Sequence, residues 1–332
     1  VNQFSHAPVN KLRAGRKNSL RPAHPSMTSL KYPIALILLA GLCHSAYAQT
    51  YVSMELGGHF APPLSFVNTS TDRASICDEY INPLYASIPG CTDTNPGEDS
   101  QWVVDYDRAF GLTASLAIGS RMTRLVIAEL EYLNHHSWYS QYTDAAAGTG
   151  VDADKLDLEV FVAREAVGDV NAHSLMLNSY AVLTPRHRVS WMPYVGAGAG
   201  LSRISMHYAS TWYRNPDPTA IRTGDGLPNA DQIRNNLAGT ISIGNADLKD
   251  YVFAWQAMIG IDYFMTRRVS LGVKLRRVDF AQFESDNIVW DPLRSHPPNN
   301  RLDGSEPVDG VIGTADLQMV TLALVMRYHF WQ

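Results

Sequence analysis

The chain has 332 residues, 45% hydrophobic and 18% charged, with 27 Lys and Arg against 32 Asp and Glu. That composition excludes a disordered chain, which needs low apolar content and high net charge. A mean hydropathy of −0.15 excludes a polytopic helical membrane protein, which carries several apolar runs of about 20 residues.

Residues 27–48 have the three-part layout of a secretory signal peptide. Lys31 supplies a positive start, 34–42 is a short apolar run, and Ala46-Tyr47-Ala48 is a small-x-small cleavage site ahead of Gln49. The run is too short to anchor the chain as a membrane helix. Leu42 is too large for the position that precedes a lipidated cysteine, so Cys43 is not read as a lipid anchor. Residues 1–26 are basic and read as an overlong, non-native N-terminal extension. The first 48 residues hold Lys11, Arg13, Arg16, Lys17, Arg21 and Lys31 and no acid, so their removal leaves 21 basic and 32 acidic side chains, net −11. An exported protein this acidic is a poor partner for nucleic acid, whose phosphates need cations.

The rest, 49–332, alternates apolar segments with polar ones. Within the apolar segments the period is two, which means strands. Eight are predicted, near 50–58, 106–119, 124–137, 171–183, 189–204, 251–264, 269–280 and 316–330. In the last, Val320, Leu322, Leu324, Met326, Tyr328 and Phe330 share one face and Met319, Thr321, Ala323, Val325, Arg327 and His329 the other. In 251–263 one face is wholly apolar, with Tyr251, Phe253 and Trp255 toward one end, Tyr263 at the other, and the aliphatic Ala257, Ile259 and Ile261 between. Aromatic rings favour the two interfaces of a bilayer, so Tyr251, Phe253 and Tyr263, with Tyr328 and Phe330, are predicted to form aromatic girdles. The tight connections at 120–123, 184–188 and 265–268 alternate with long polar ones near 59–105, 138–170, 205–250 and 281–315. Short turns at one end and long loops at the other describe an up-and-down transmembrane barrel with four long outward loops and short periplasmic turns.

Cys77 and Cys91 lie in the first long loop. An oxidising compartment would join them in a disulfide; two thiols without nearby His do not complete a metal shell. The segment 138–170 carries Asp144, Asp152, Asp154, Asp157, Glu159, Glu165 and Asp169 against Lys155 and Arg164, which predicts an acidic outer rim.

An eight-stranded barrel has room inside only for side chains, so the inward face is expected to be small, or polar and paired. On this phase Tyr194, Gly196, Gly198 and Gly200 point inward, as do Glu129, Glu131, Lys274 and Arg276. Glu129 and Glu131 are expected to pair with Lys274, Arg276 or nearby Arg residues and plug the lumen, the alternative being exposure of some of these charges at a rim. Gly196-Ala-Gly-Ala-Gly200 lacks the following helix that a dinucleotide loop needs and reads as close backbone approach. Gly-x-Ser-x-Gly, His-Glu-x-x-His and Walker patterns do not occur. His173-Ser174, with His207 nearby, is the one arrangement that could serve an outer-leaflet acyl hydrolase, and polar rim residues are the preferred reading. No catalytic residue, cofactor or metal is assigned.

Asn178-x-Tyr180, Pro193-Tyr194-x-Gly196-x-Gly198-x-Gly200, Phe253-Ala-Trp255-Gln256-x-x-x-Gly260 and the terminal Tyr328-x-Phe330 resemble the opacity-protein and surface-antigen family of eight-stranded outer-membrane barrels, related in architecture to the transmembrane domain of OmpA. The resemblance implies an outer-membrane location among lipid and lipopolysaccharide, with loops at the cell surface. It also implies insertion by the barrel-assembly machinery, which would read Tyr328 and Phe330 at the end of the last strand, although Trp331 and Gln332 follow. Family roles include adhesion, host or environmental contact and surface display, with a small-solute pore and a lipid-A-modifying enzyme as alternatives.

Overall fold

The structure, a computed structural model, describes residues 49–91, 100–144, 158–184, 190–285, 297, 299–315 and 317–330. Residues 27–48, read above as a signal peptide with Ala46 and Ala48 at its expected cleavage site, and Trp331 and Gln332 lie outside the described residues; Gln49 is the first residue of the first strand.

Fourteen strands are described: β1 (Gln49–Ala61), β2 (Leu64–Ser70), β3 (Ser100–Tyr106), β4 (Ala109–Arg121), β5 (Val126–Ser137), β6 (Gln141–Asp144), β7 (Val160–Val167), β8 (Val170–Val182), β9 (Trp191–Arg214), β10 (Ile241–Phe264), β11 (Val269–Phe280), β12 (Phe283–Ser285), β13 (Gly310–Thr314) and β14 (Gln318–His329). One α-helix, α1 (Ala230–Leu237), follows β9. Among the described residues no helix is long and apolar enough to cross a membrane.

Eight strands form a closed antiparallel cylinder in the order β1-β4-β5-β8-β9-β10-β11-β14, with β14 returning to β1. The last strand meets the first along Tyr51↔His329 through Phe60↔Val320, so the sheet has no edge at membrane depth. A sheet in hydrocarbon must close in this way, because an unpaired strand edge would leave amide groups without partners.

Burial alternates along every barrel strand. Trp255 is 47% and Leu324 71% exposed, so the apolar stripe faces outward and no second sheet covers it. Phe253 and Tyr263 lie ten residues apart on this face; at about 3.3 Å per residue and a tilt of about 40° they span about 25 Å along the axis, the height of an outer-membrane apolar band. Tyr263, Tyr328 and Phe330 stand with Trp191 at the short-turn end, and Tyr251 and Phe253 toward the loop end.

Inside, three tyrosines each lie across a glycine directly opposite on the next strand: Tyr51 on Gly119, Tyr180 on Gly196 and Tyr194 on Gly260. A Cβ at any of these glycines would collide with the ring. Ring and glycine are thus complementary halves of one packing unit.

The predicted segments mark the barrel strands, but the long connections are not plain loops. β9 and β10 run on past the barrel for a further turn of sheet, and β7 and β6 add to that extension through β9. β2 and β3 from the first connection join β13 and β12 from the last in a second, four-stranded sheet. Together they build a crown above the barrel.

Gly260→Val should collide with Tyr194 and destabilise the folded barrel by about 1–3 kcal/mol, whereas Ala257→Val, outward on the same strand, should have little effect. Urea midpoints of the compact, heat-modifiable form in detergent will measure both.

Candidate functional site

The barrel strands bring Glu131, Lys274 and Arg276 together near the middle of the lumen. Arg276 Nη2 donates to Glu131 Oε1 at 2.6 Å and to Glu55 Oε2 at 2.9 Å, and Lys274 Nζ meets the same Glu55 oxygen at 2.8 Å. All four side chains are almost fully buried. Two carboxylates and two cations balance, and the Asn178 and Gln256 amides donate to Glu131 at 2.8 and 3.1 Å. A buried charge is tolerated when it is both paired and hydrogen-bonded.

Glu129 differs from expectation. It pairs with neither Lys274 nor Arg276 but accepts from the Tyr51 and Tyr180 hydroxyls, both at 2.7 Å, from Asn178 at 3.2 Å and from Ser53 at 3.5 Å. The reason is register: Glu129 sits one inward position nearer the turns than Glu131, beside the tyrosines rather than the cations. Below it Arg327 forms an ion pair with Asp262, donates to the Tyr194 hydroxyl, and lies over the Tyr51 and Tyr194 rings. Glu55, Asp262, Arg327 and the polar Asn178 and Gln256 were not singled out as lumen charges or their partners; the alternation that placed Glu131 inward also places them there.

The expectation of a lumen that is small or polar throughout is corrected one layer higher. Just outward of the ionic layer, Leu133, Ala172, Met176, Ile204, Val252, Ala254, Val278 and Met319 form an apolar core. This core continues into the crown through Phe66, Trp102, Val104, Tyr106, Phe283 and Ile312. Many inward positions of the outer half are apolar because the crown covers them, and they pack as the interior of a globular protein does; the rest are buried polar groups bonded to one another. Beside this layer His59 contacts Ser137 Oγ at 2.7 Å and Thr113 Oγ1 at 2.9 Å, with His135 next to it. That Ser–His contact escaped the sequence reading, is buried, and has hydroxyls rather than a carboxylate at the other ring nitrogen.

The acidic rim is corrected in part. Glu159 and Glu165 are buried ties rather than surface charges. Glu159 pairs with Arg214 at 2.6 Å and accepts from the backbone of Arg222 and Thr223. Glu165 accepts from Trp102 Nε1 at 3.1 Å, from Trp212 Nε1 at 2.7 Å and from the Tyr208 hydroxyl. Donors from the first and third long connections therefore converge on one carboxyl of the second. Arg73 and Arg301 meet on Glu306, tying the first connection to the last, and Cys77 and Cys91 are joined in a disulfide with Cα atoms 5.1 Å apart. Asp152, Asp154, Lys155 and Asp157 lie outside the described residues.

The hydrolase alternative loses its pair. On neighbouring positions of β8, Ser174 points into the lumen and bonds Ser202 Oγ at 2.9 Å, while His173 points outward to Tyr132 and Asn134. A strand sends adjacent side chains to opposite faces, so the two cannot act as a dyad. His207 is also outward, 3.1 Å from Asp247.

A closed cylinder with an apolar outside, a buried ionic layer and loops gathered at one end has one reading. The chain is an eight-stranded barrel of the outer-membrane type. No protein-family model and no curated protein matches it. Among solved structures it is similar to Neisserial surface protein A (10% identity over 85% of this chain and 99% of that one, TM-score 0.36). It is similar also to the outer membrane protein OprG from Pseudomonas aeruginosa (10% identity, 85% and 96%, TM-score 0.37) and to the outer membrane protease OmpT from Escherichia coli (9% identity, 84% and 97%, TM-score 0.33).

Arg276→Met strips the shared cation from Glu55 and Glu131 and should cost about 3–5 kcal/mol. Glu129→Gln, whose donors are neutral, should cost about 1–2 kcal/mol. Urea unfolding in detergent compares them. In the crown, burial pushes the Glu165 carboxyl up to about 8 in spite of its Trp212 and Trp102 donors. The folded crown thus holds the proton that an unfolded glutamic acid loses near pH 4.3. The stability this contributes is complete below that value and is lost as the pH rises through about 8. Tryptophan emission and protease resistance of the crown should change between pH 6 and pH 9, and Glu165→Gln should flatten the change.

Proposed function

We propose that this chain is a surface protein of a bacterial outer membrane that presents its crown outward, in an adhesive, antigenic or envelope-structural role, and performs no catalysis. On this reading residues 27–48 direct export, and the barrel-assembly machinery reads Tyr328 and Phe330 during insertion. The lipid and lipopolysaccharide of the membrane surround the apolar belt.

The observation that carries the reading is the double seal of the lumen. The Glu55–Lys274–Arg276–Glu131 cluster fills the middle, and the apolar layer from Leu133 to Met319, with the buried His59, Thr113, Ser137 and His135 beside it, fills the outer half. A conducting barrel needs a continuous wet path, and eight strands leave no width around such side chains. Structure is invested instead in the crown, where two sheets, a helix and a disulfide hold a defined outward surface. That is what recognition by a partner or an antibody requires.

Reconstitution in planar bilayers should give no steady conductance. Stable single-channel steps from the purified protein would favour the small-solute pore instead. Fractionation of cells, with and without heating before electrophoresis, should find a heat-modifiable band in the outer-membrane fraction, and added protease should reach the crown on intact cells.

A further inference from the structure

Most outward-facing positions of the belt are apolar, and a charge there needs a reason. Arg277 has one, since Asp279 on the same strand meets it at 2.7 Å. Arg203 and Lys249 are exposed, and among the described residues no carboxylate is in contact with either; Asp247, one position outward of Lys249 on the same face of β10, feels the Lys249 charge but is held by His207.

The registers put these two groups together. Arg203 on β9 stands opposite Tyr251 of β10, and Lys249 stands opposite Ser205, so the cations are diagonal neighbours on one face. Such positions lie about 7–8 Å apart, within reach of one phosphate for two long basic side chains. On the other side of Arg203, directly opposite, is His173 of β8. Its Nδ1 lies 2.8 Å from the Tyr132 hydroxyl and 3.1 Å from the Asn134 amide nitrogen. With both as donors, Nδ1 is the acceptor and the ring proton belongs on Nε2. His173 thus offers a third donor beside the two cations.

The depth of the cluster selects its occupant. One inward step along the same outer face lie Leu175, Leu201 and Phe253, all exposed, with the aliphatic belt continuing below. One step outward the face turns polar, and a recess of about 400 Å³ opens between Asn171, Ser205, His207 and Lys249. Two carboxylates also line it, Asp169 and Asp247. Each is held by a histidine, His136 at 3.3 Å and His207 at 3.1 Å, and Asp169 also accepts from Ser140 at 2.6 Å. The two cations therefore sit where acyl chains end and headgroups begin, on a surface that looks sideways along the membrane.

We propose that Arg203 and Lys249, assisted by His173, bind the phosphate of a phosphorylated glycolipid headgroup in the outer leaflet. Its acyl chains lie against Leu175, Leu201 and Phe253, and its sugar occupies the recess lined by Asn171 and Ser205. Arginine provides a planar fork of N–H donors for phosphate oxygens, and lysine a mobile point charge. The proposal rests on the outer-membrane orientation given above and adds a lipid-recognition site to it.

The test uses the full mature chain, folded in detergent, with three probes: bisphosphorylated lipid A, the same lipid without phosphates, and inorganic phosphate. Retained lipid is counted by native mass spectrometry, and the temperature at which the compact band is lost is read on gels. The phosphorylated lipid should be retained and raise that temperature. The dephosphorylated lipid should do so at least tenfold more weakly, and inorganic phosphate should not displace bound lipid at equal concentration. Arg203→Gln with Lys249→Gln should weaken retention tenfold or more. Arg277→Gln, which removes the same charge from the same belt, should leave it unchanged. Lys249→Gln alone, at the rim, is the variant to use if the double change impairs folding, and it should weaken retention severalfold.

Equal retention of the two lipids, unchanged retention by the variants, or displacement by inorganic phosphate would each overturn the lipid-phosphate site. In all three cases the compact, heat-modifiable barrel would still be seen, and the surface-protein reading would stand. Loss of that form in the unsubstituted protein would count against the reading itself.

Discussion

The structure depends on one requirement: in hydrocarbon every amide must find its partner within the protein, so the sheet closes on itself. Closure through β1 and β14 sets the radius, and the radius decides what the interior can hold. Long aromatic and charged side chains must share a narrow tube, and they do so by complementary pairing. Tyr51, Tyr180 and Tyr194 each lie over a glycine, each of Arg276 and Arg327 meets a carboxylate, and the Asn178 and Gln256 amides donate to Glu131. The same narrowness leaves no volume for bulk water in the outer half, which fills with apolar side chains and a few bonded polar ones.

The barrel was largely legible because its two faces meet different media. Lipid outside and packed side chains inside impose a period of two on every strand, and residues such as Leu324 and Arg327 fall on opposite sides without further information. Inward placement of Glu131, Lys274 and Arg276 follows from the same count. Which charge meets which is not contained in that count. It depends on the stagger between strands, which brings Arg276 to Glu131 across the barrel and leaves Glu129 among hydroxyls.

The crown was hardly legible at all. Its strands are short, and their partners are distant in sequence: β2 pairs with β13, about 240 residues later. Polar and acidic composition reads as solvated loop, yet Glu159 and Glu165 are interior because several tryptophan, tyrosine and backbone donors converge on them from other connections. A local window of sequence contains none of those partners. Likewise Arg203 and Lys249 on the outer face acquire meaning only when the registers of β8, β9 and β10 align them.

The clasp between β2 and β13 lies directly above the seam where β1 meets β14. One half of that clasp is made early in translation and the other only when the C-terminal part of the chain has arrived. The four-stranded sheet therefore serves as a certificate of completion: an antibody raised against its assembled surface would recognise finished molecules and pass over truncated or half-inserted ones.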